Sequence, residues 1–107
     1  MKKNQKAKEI QNLFEGGDID YIALNNFLKE EKFKYYKVLE IRTRDNDIMK
    51  FRKENQKNFL DIESEGKSLV YNCKIENYGQ IEFLIKNTKI SKINLENKKF
   101  YLYHVIY

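Results

Sequence analysis

The hydrophobic pattern changes period near residue 34, and no other feature constrains the fold as much. Before that point apolar residues recur at helical spacing; beyond it they alternate, and turn residues return every eight to twelve positions or so. Helices followed by a run of hairpins must stack as two layers, because neither layer can bury its apolar face alone. Residues 3–15 set Ala7, Ile10, Leu13 and Phe14 on one side and Lys6, Lys8, Glu9, Gln11 and Asn12 on the other, which predicts an amphipathic helix. "EGGD" ends it: Gly16 or Gly17 suits a left-handed C-cap, and the Asp18 carboxylate suits the N-cap of a second helix over residues 19–31. The apolar set of that helix, Ile19, Ile22, Ala23, Leu24, Phe27 and Leu28, forms a wider stripe and predicts deeper burial.

Turns at "RDND", "SEGK", "ENYGQ", "KNTK" and "LENKK" divide the remainder into strands. Requiring apolar residues to share a face fixes registers for several hairpins. A Glu65–Gly66 loop sets Ile62 opposite Leu69 and Leu60 opposite Tyr71; a loop at "NYG" sets Ile75 opposite Ile81, Cys73 opposite Phe83 and Tyr71 opposite Ile85; "ENKK" sets Leu95 opposite Phe100 and Ile93 opposite Leu102. "KNTKIS" fits no register and marks a bulge or a break. The expectation is a single α+β domain over residues 1–107. Two N-terminal helices (residues 1–33) pack on a mostly antiparallel sheet of about six to seven strands joined by hairpins (residues 34–107). Its core includes Ile10, Ile22, Phe27, Leu39, Ile41, Phe51, Leu60, Ile62 and Phe83.

Charge narrows the function. The net charge is +5 at 107 residues, but lysine, asparagine, isoleucine, tyrosine and phenylalanine make up more than half the chain, while proline and tryptophan are absent. These favoured residues have AT-rich codons, so lysine excess carries little information, and clustered arginine carries more. All three arginines fall in "EIRTRDNDIMKFRK". With Asp45–Asn46–Asp47 as the loop, Arg44 pairs with Ile48, Arg42 with Lys50, Ile41 with Phe51 and Glu40 with Arg52. Leu39, Ile41, Met49 and Phe51 then face one side, while Arg42, Arg44, Lys50 and Arg52 face the other. The planar fork of arginine suits carboxylate or phosphate. In "FYLYHVIY", strict alternation sets Phe100, Leu102, His104 and Ile106 on the core side and Tyr101, Tyr103, Val105 and Tyr107 on the other. The tyrosines form an aromatic stripe suited to a protein interface or to stacking on bases. The candidate partner-binding residues are therefore Arg42, Arg44, Lys50, Arg52, Tyr101, Tyr103 and Tyr107.

Chemistry is sparse by comparison. One cysteine and one histidine exclude an internal disulfide and a zinc cluster, and neither metal nor cofactor is expected. Cys73 shares its phase with Leu69, Tyr71 and Ile75 and reads as core. His104 shares its phase with Phe100 and Leu102, which argues against proton transfer. No glycine-rich phosphate loop, RNA recognition motif or "GxxG" clamp is present, and the basic-aromatic "KEEKFKYYK" is a weak nucleic-acid signal. No apolar run reaches the roughly 20 residues of a membrane span, and "MKKNQKAKEI" is no signal peptide, so a cytoplasmic protein is expected.

These readings favour a non-enzymatic binding protein that engages a protein or ribonucleoprotein complex, without a membrane partner. Small motif-poor domains of this form include phage and mobile-element inhibitors such as anti-CRISPR proteins. The alternatives are a direct RNA- or DNA-binding module, or a metal-independent endoribonuclease. The latter resembles toxins of toxin–antitoxin pairs in His104, Tyr103 and Tyr107 but lacks their N-terminal strand. The last strand also offers an edge for homodimer formation.

Overall fold

The computed structural model describes residues 9–64 and 67–107. Helix α1 (Glu9–Leu13) buries Ile10, and Gly17 lies beyond it at φ 108°, in the left-handed region that glycine enters without strain. Residues before position 9, where the first helix was expected to begin, and the Glu65–Gly66 loop lie outside the described residues. Helix α2 (Tyr21–Lys29) is capped by Asp20, whose side chain accepts from the Ala23 backbone N–H at 3.0 Å. Asp18 is thus not the cap. Leu24, Phe27 and Leu28 are buried at helical spacing, whereas Ile22, expected in the core, is 72% exposed on the opposite side.

A 3-10 turn (Lys32–Tyr35) buries Phe33 and leads into strands β1 (Val38–Thr43), β2 (Ile48–Glu54), β3 (Lys57–Ser64) and β4 (Lys67–Ile75). The last strand, β5 (Phe100–Ile106), lies beside β1, giving the antiparallel order β4-β3-β2-β1-β5. Ile19 and Phe100 exchange both backbone hydrogen bonds at 2.9 and 2.8 Å, pinning the start of β5 to the loop before α2. One face of the sheet is apolar: Leu39, Ile41, Met49, Phe51, Leu60, Ile62 and Ile75 are buried against Leu24, Leu28, Phe33, Ile81 and Ile85 from the helical layer. Phe33 stacks on Phe51 with ring centroids 5.1 Å apart.

Among the described residues the sheet has five strands, and the expected "NYG" hairpin is instead helix α3 (Tyr78–Thr88). Asn77 and Gln80 form a capping box: the Asn77 side chain accepts from the Gln80 N–H, and the Gln80 side chain accepts from the Asn77 N–H, both at 3.3 Å. Once the helix starts there, Ile81, Leu84, Ile85 and Thr88 turn inward together, and Phe83 stands 66% exposed. Tyr71 donates its hydroxyl proton to the Asn87 carbonyl at 3.1 Å and ties α3 to β4. Nor does "LENKK" make a hairpin. Leu95–Asn97 is a 3-10 turn whose Leu95, with Ile93, is buried without strand pairing. Residues 76–99 thus carry the chain from one sheet edge to the other under the apolar face.

Hairpin registers differ from expectation by two residues. Ile41 faces Met49 and Arg42 faces Ile48; Leu60 faces Cys73 and Ile62 faces Tyr71. A two-residue slip returns every side chain to its own face, so burial alone cannot detect it. Side chains in the β1–β2 turn decide: Thr43 Oγ1 donates to the Asp47 carboxylate at 3.0 Å and accepts from the Asp47 N–H at 3.1 Å, while Asn46 takes φ 65°.

Candidate recognition surface

All three described helices pack on one side of the sheet and leave the other side open. Register places Asn72, Asp61, Lys50, Glu40 and His104 in one row across the open face, flanked by a row of Lys74, Phe59, Arg52, Val38 and Ile106. Arg42 lies on the other side of that central row, between Ile48 and Tyr101.

Each arginine is held twice. Arg42 donates from Nε to Glu40 Oε2 at 2.7 Å, and its guanidinium carbon lies 3.4 Å from the centre of the Tyr103 ring. Arg52 donates to Asp61 at 2.9 Å and Glu54 at 2.8 Å, and stands over Phe59 at 4.7 Å. Arg44, at the turn, bonds both carboxylate oxygens of Asp18 at 3.0 and 2.8 Å and lies 4.0 Å over Tyr101. That hydrogen bonding holds the Asp18 carboxyl below its ordinary pKa. Asp61 also accepts from the Asn72 amide at 2.6 Å, and Glu40 is only 8% exposed, so both carboxylates are fixed before any partner arrives. The arrangement is hydrogen-bonded, aromatic and charge-balanced. Lys2, Lys3, Lys6 and Lys8 account for four of the five units of net charge, so the rest of the chain is near neutral.

Five of the seven expected binding residues, Arg42, Lys50, Arg52, Tyr101 and Tyr103, share this face, and Arg44 extends it at the turn. Tyr107 does not join them. A β-bulge opposite Glu40 and Ile41 inserts Tyr103 as an extra residue: Ile41 pairs with Leu102, but Glu40 pairs with His104. Everything after Tyr103 therefore changes face. Val105 pairs with Leu39 and packs on the core, Tyr107 lies against Tyr36 at 5.8 Å on the helical side, and His104 moves out beside Glu40. The apolar phase expected for His104 is thereby corrected. β5 is an edge strand, as self-association would need, but the bulge breaks the pairing period along it.

Alternation sets Glu40 on the arginine face of its own strand, but it could not reveal Phe59, Asp61 or Asp18 as partners of the arginines, because they come from another strand or from the loop before α2. Cys73 is half-buried, and burial, aided by Asp61, raises its thiol pKa, which leaves it a poor nucleophile. Among the described residues no three His, Cys, Asp or Glu side chains converge to hold a metal, and no helix is long and apolar enough to cross a membrane. Comparison with protein-family models, curated proteins and solved structures returned no match.

Proposed function

We propose that the protein is a binding protein whose open sheet face engages a protein surface within a nucleic-acid-handling complex, as a small phage or mobile-element inhibitor of the anti-CRISPR kind would. The observation that carries this reading is the set of three arginines, each clamped to a carboxylate and stacked on an aromatic ring along the face that no described helix covers. Arginine and tyrosine dominate interface hot spots, and side chains already locked in place lose little entropy on docking. Glu40, Asp61 and Asp18 beside the guanidinium groups oppose a run of phosphates, which favours a protein surface over a bare polynucleotide.

Titration of purified protein against host nuclease complexes, single-stranded RNA and duplex DNA tests the reading. An Arg42→Glu/Arg52→Glu variant with an unchanged circular dichroism spectrum loses the protein partner, with a shallow salt dependence. Tight binding to free nucleic acid with a steep log-linear salt slope, abolished in the same variant, overturns the preference. Unchanged binding to every partner reduces the cluster to a solvated face.

A further inference from the structure

The bulge at Tyr103 has a chemical consequence that goes beyond binding. It sets His104, exposed, directly opposite Glu40 on the face that carries Arg42 and Lys50. Cross-strand neighbours hold their Cβ atoms about 4.5–5.5 Å apart, so a carboxylate and an imidazole stand at the two sides of one small site. Lys50 is the neighbour of Glu40 on its other flank. Arg42 reaches Glu40 through Nε and one terminal nitrogen, at 2.7 and 2.5 Å. A guanidinium has five N–H donors, and the rest remain for a second oxyanion. The Tyr103 ring beneath Arg42 fixes the guanidinium plane.

We propose that Glu40 and His104 are the general base and general acid of a site that cleaves single-stranded RNA by transesterification, with Arg42 and Lys50 stabilising the pentacoordinate phosphorane. Ribose supplies its own nucleophile. The 2′-hydroxyl oxygen attacks the adjacent phosphorus while its proton passes to the Glu40 carboxylate. The bond from phosphorus to the 5′ oxygen breaks as His104, in its imidazolium form, gives that oxygen a proton. The products are a 2′,3′-cyclic phosphate and a 5′-hydroxyl end, and neither oxidant nor water is consumed. Arg42 and Lys50 meet the charge that grows on the non-bridging oxygens. The carboxylate that weakens phosphate binding at this face is the one the chemistry requires. Weak substrate affinity follows, and the assay is therefore run with protein in excess.

The test is single-turnover cleavage of a mixed-sequence, end-labelled single-stranded RNA oligonucleotide at low salt with EDTA present. The wild type yields cyclic-phosphate ends and leaves the all-2′-deoxy oligonucleotide intact. Glu40→Gln and His104→Ala, each confirmed as folded by its melting curve, lose about 100-fold or more in rate, whereas Ile90→Asn on the helical side does not change it. A substrate with sulfur in place of the 5′ oxygen needs no acid, so it restores cleavage to His104→Ala and not to Glu40→Gln. An uncut RNA under these conditions, or equal cleavage by wild type and both variants, overturns the proposal. Neither result touches the binding reading, which fails only if the Arg42/Arg52 reversal leaves partner binding unchanged, or if tight, steeply salt-dependent binding to free nucleic acid is lost in that variant.

Discussion

The Lys98 ammonium and the Asp47 carboxylate join the β1–β2 turn to the segment entering β5, and their unequal burial predicts unequal costs of mutation. Asp47 is 3% exposed and accepts from Thr43 Oγ1 and from Lys98. The Lys98 side chain is 24% exposed and also pairs with Asp45 at 3.3 Å. Lys98→Met strands a buried carboxylate, a loss of about 3–5 kcal/mol where burial is complete. Because water reaches the lysine end, we expect about 2–3 kcal/mol, or roughly 10–15 °C in Tm for a domain of this size. Asp47→Asn keeps an acceptor for Thr43 and leaves Lys98 with Asp45 and solvent, so it costs only about 1 kcal/mol. For Lys98, burial lowers the pKa, but Asp47 and Asp45 outweigh it and raise it above the ordinary 10.5. A raised folded pKa means that this contribution is complete below pH 10.5 and fades as pH rises through the higher folded value. Urea melts of both variants at neutral pH supply the measurement, and equal costs, or Asp47→Asn as the worse of the two, would refute the burial argument.

Three further substitutions test α3. Phe83→Ser, at an exposed position, changes the urea midpoint by less than about 0.5 kcal/mol equivalent, while Ile85→Ala two residues on costs about 2–5 kcal/mol; the reverse order would restore the strand reading. Asn77→Ala removes the capping box and costs about 1 kcal/mol, with faster amide exchange confined to the first turn of α3, and uniform exchange across the chain would disprove a local cap.

The faces of β1, β2 and β3 were legible because a single parity choice buries Leu39, Ile41, Met49, Phe51, Leu60 and Ile62 together, and any odd slip exposes them all. Register was not, since an even slip preserves every face and only the hydroxyl and carboxylate of Thr43 and Asp47 distinguish the choices. Residues 81–86, "IEFLIK", fit a strand with Ile81, Phe83 and Ile85 inward or a helix with Ile81, Leu84 and Ile85 inward, and so short an apolar run does not discriminate. The deciding signal was present four residues earlier, in Asn77 and Gln80 at capping-box spacing. Half of the candidate face was legible too: the arginines announced themselves by scarcity. Their carboxylate and aromatic partners arrive from Asp18, Asp61 and Phe59, across pairings that no local pattern encodes.

The bulge is the hardest feature to read, because burial is nearly balanced on either side of it. Strict alternation would bury Ile106 and His104; the observed strand instead turns Val105 and Tyr107 to the helical side and leaves Ile106 44% exposed. Burying an aliphatic side chain is worth about 1.5–3 kcal/mol in either arrangement, so what tips the choice is His104, whose unpaired burial costs about 1–3 kcal/mol against one disrupted ladder bond of about 1. A hydrogen bond of 2.8 Å from the Lys37 N–H to the Ile106 carbonyl then secures the shifted end. Deleting Tyr103 tests this directly. In the bulged strand, removal of the extra residue leaves Leu102 inward, His104 outward opposite Glu40 and Val105 inward, so every remaining face is preserved. The loss is then chiefly the stacking of Arg42 on Tyr103, about 0.5–1 kcal/mol, and Tm falls by only a few degrees. In an unbroken strand the same deletion would reverse the faces of all four residues that follow, expelling Ile106 from the core and unfolding much of the edge. A deletion variant that melts far below the wild type, or that has lost the native-like spectrum, would show that β5 alternates without a bulge and that His104 does not stand beside Glu40.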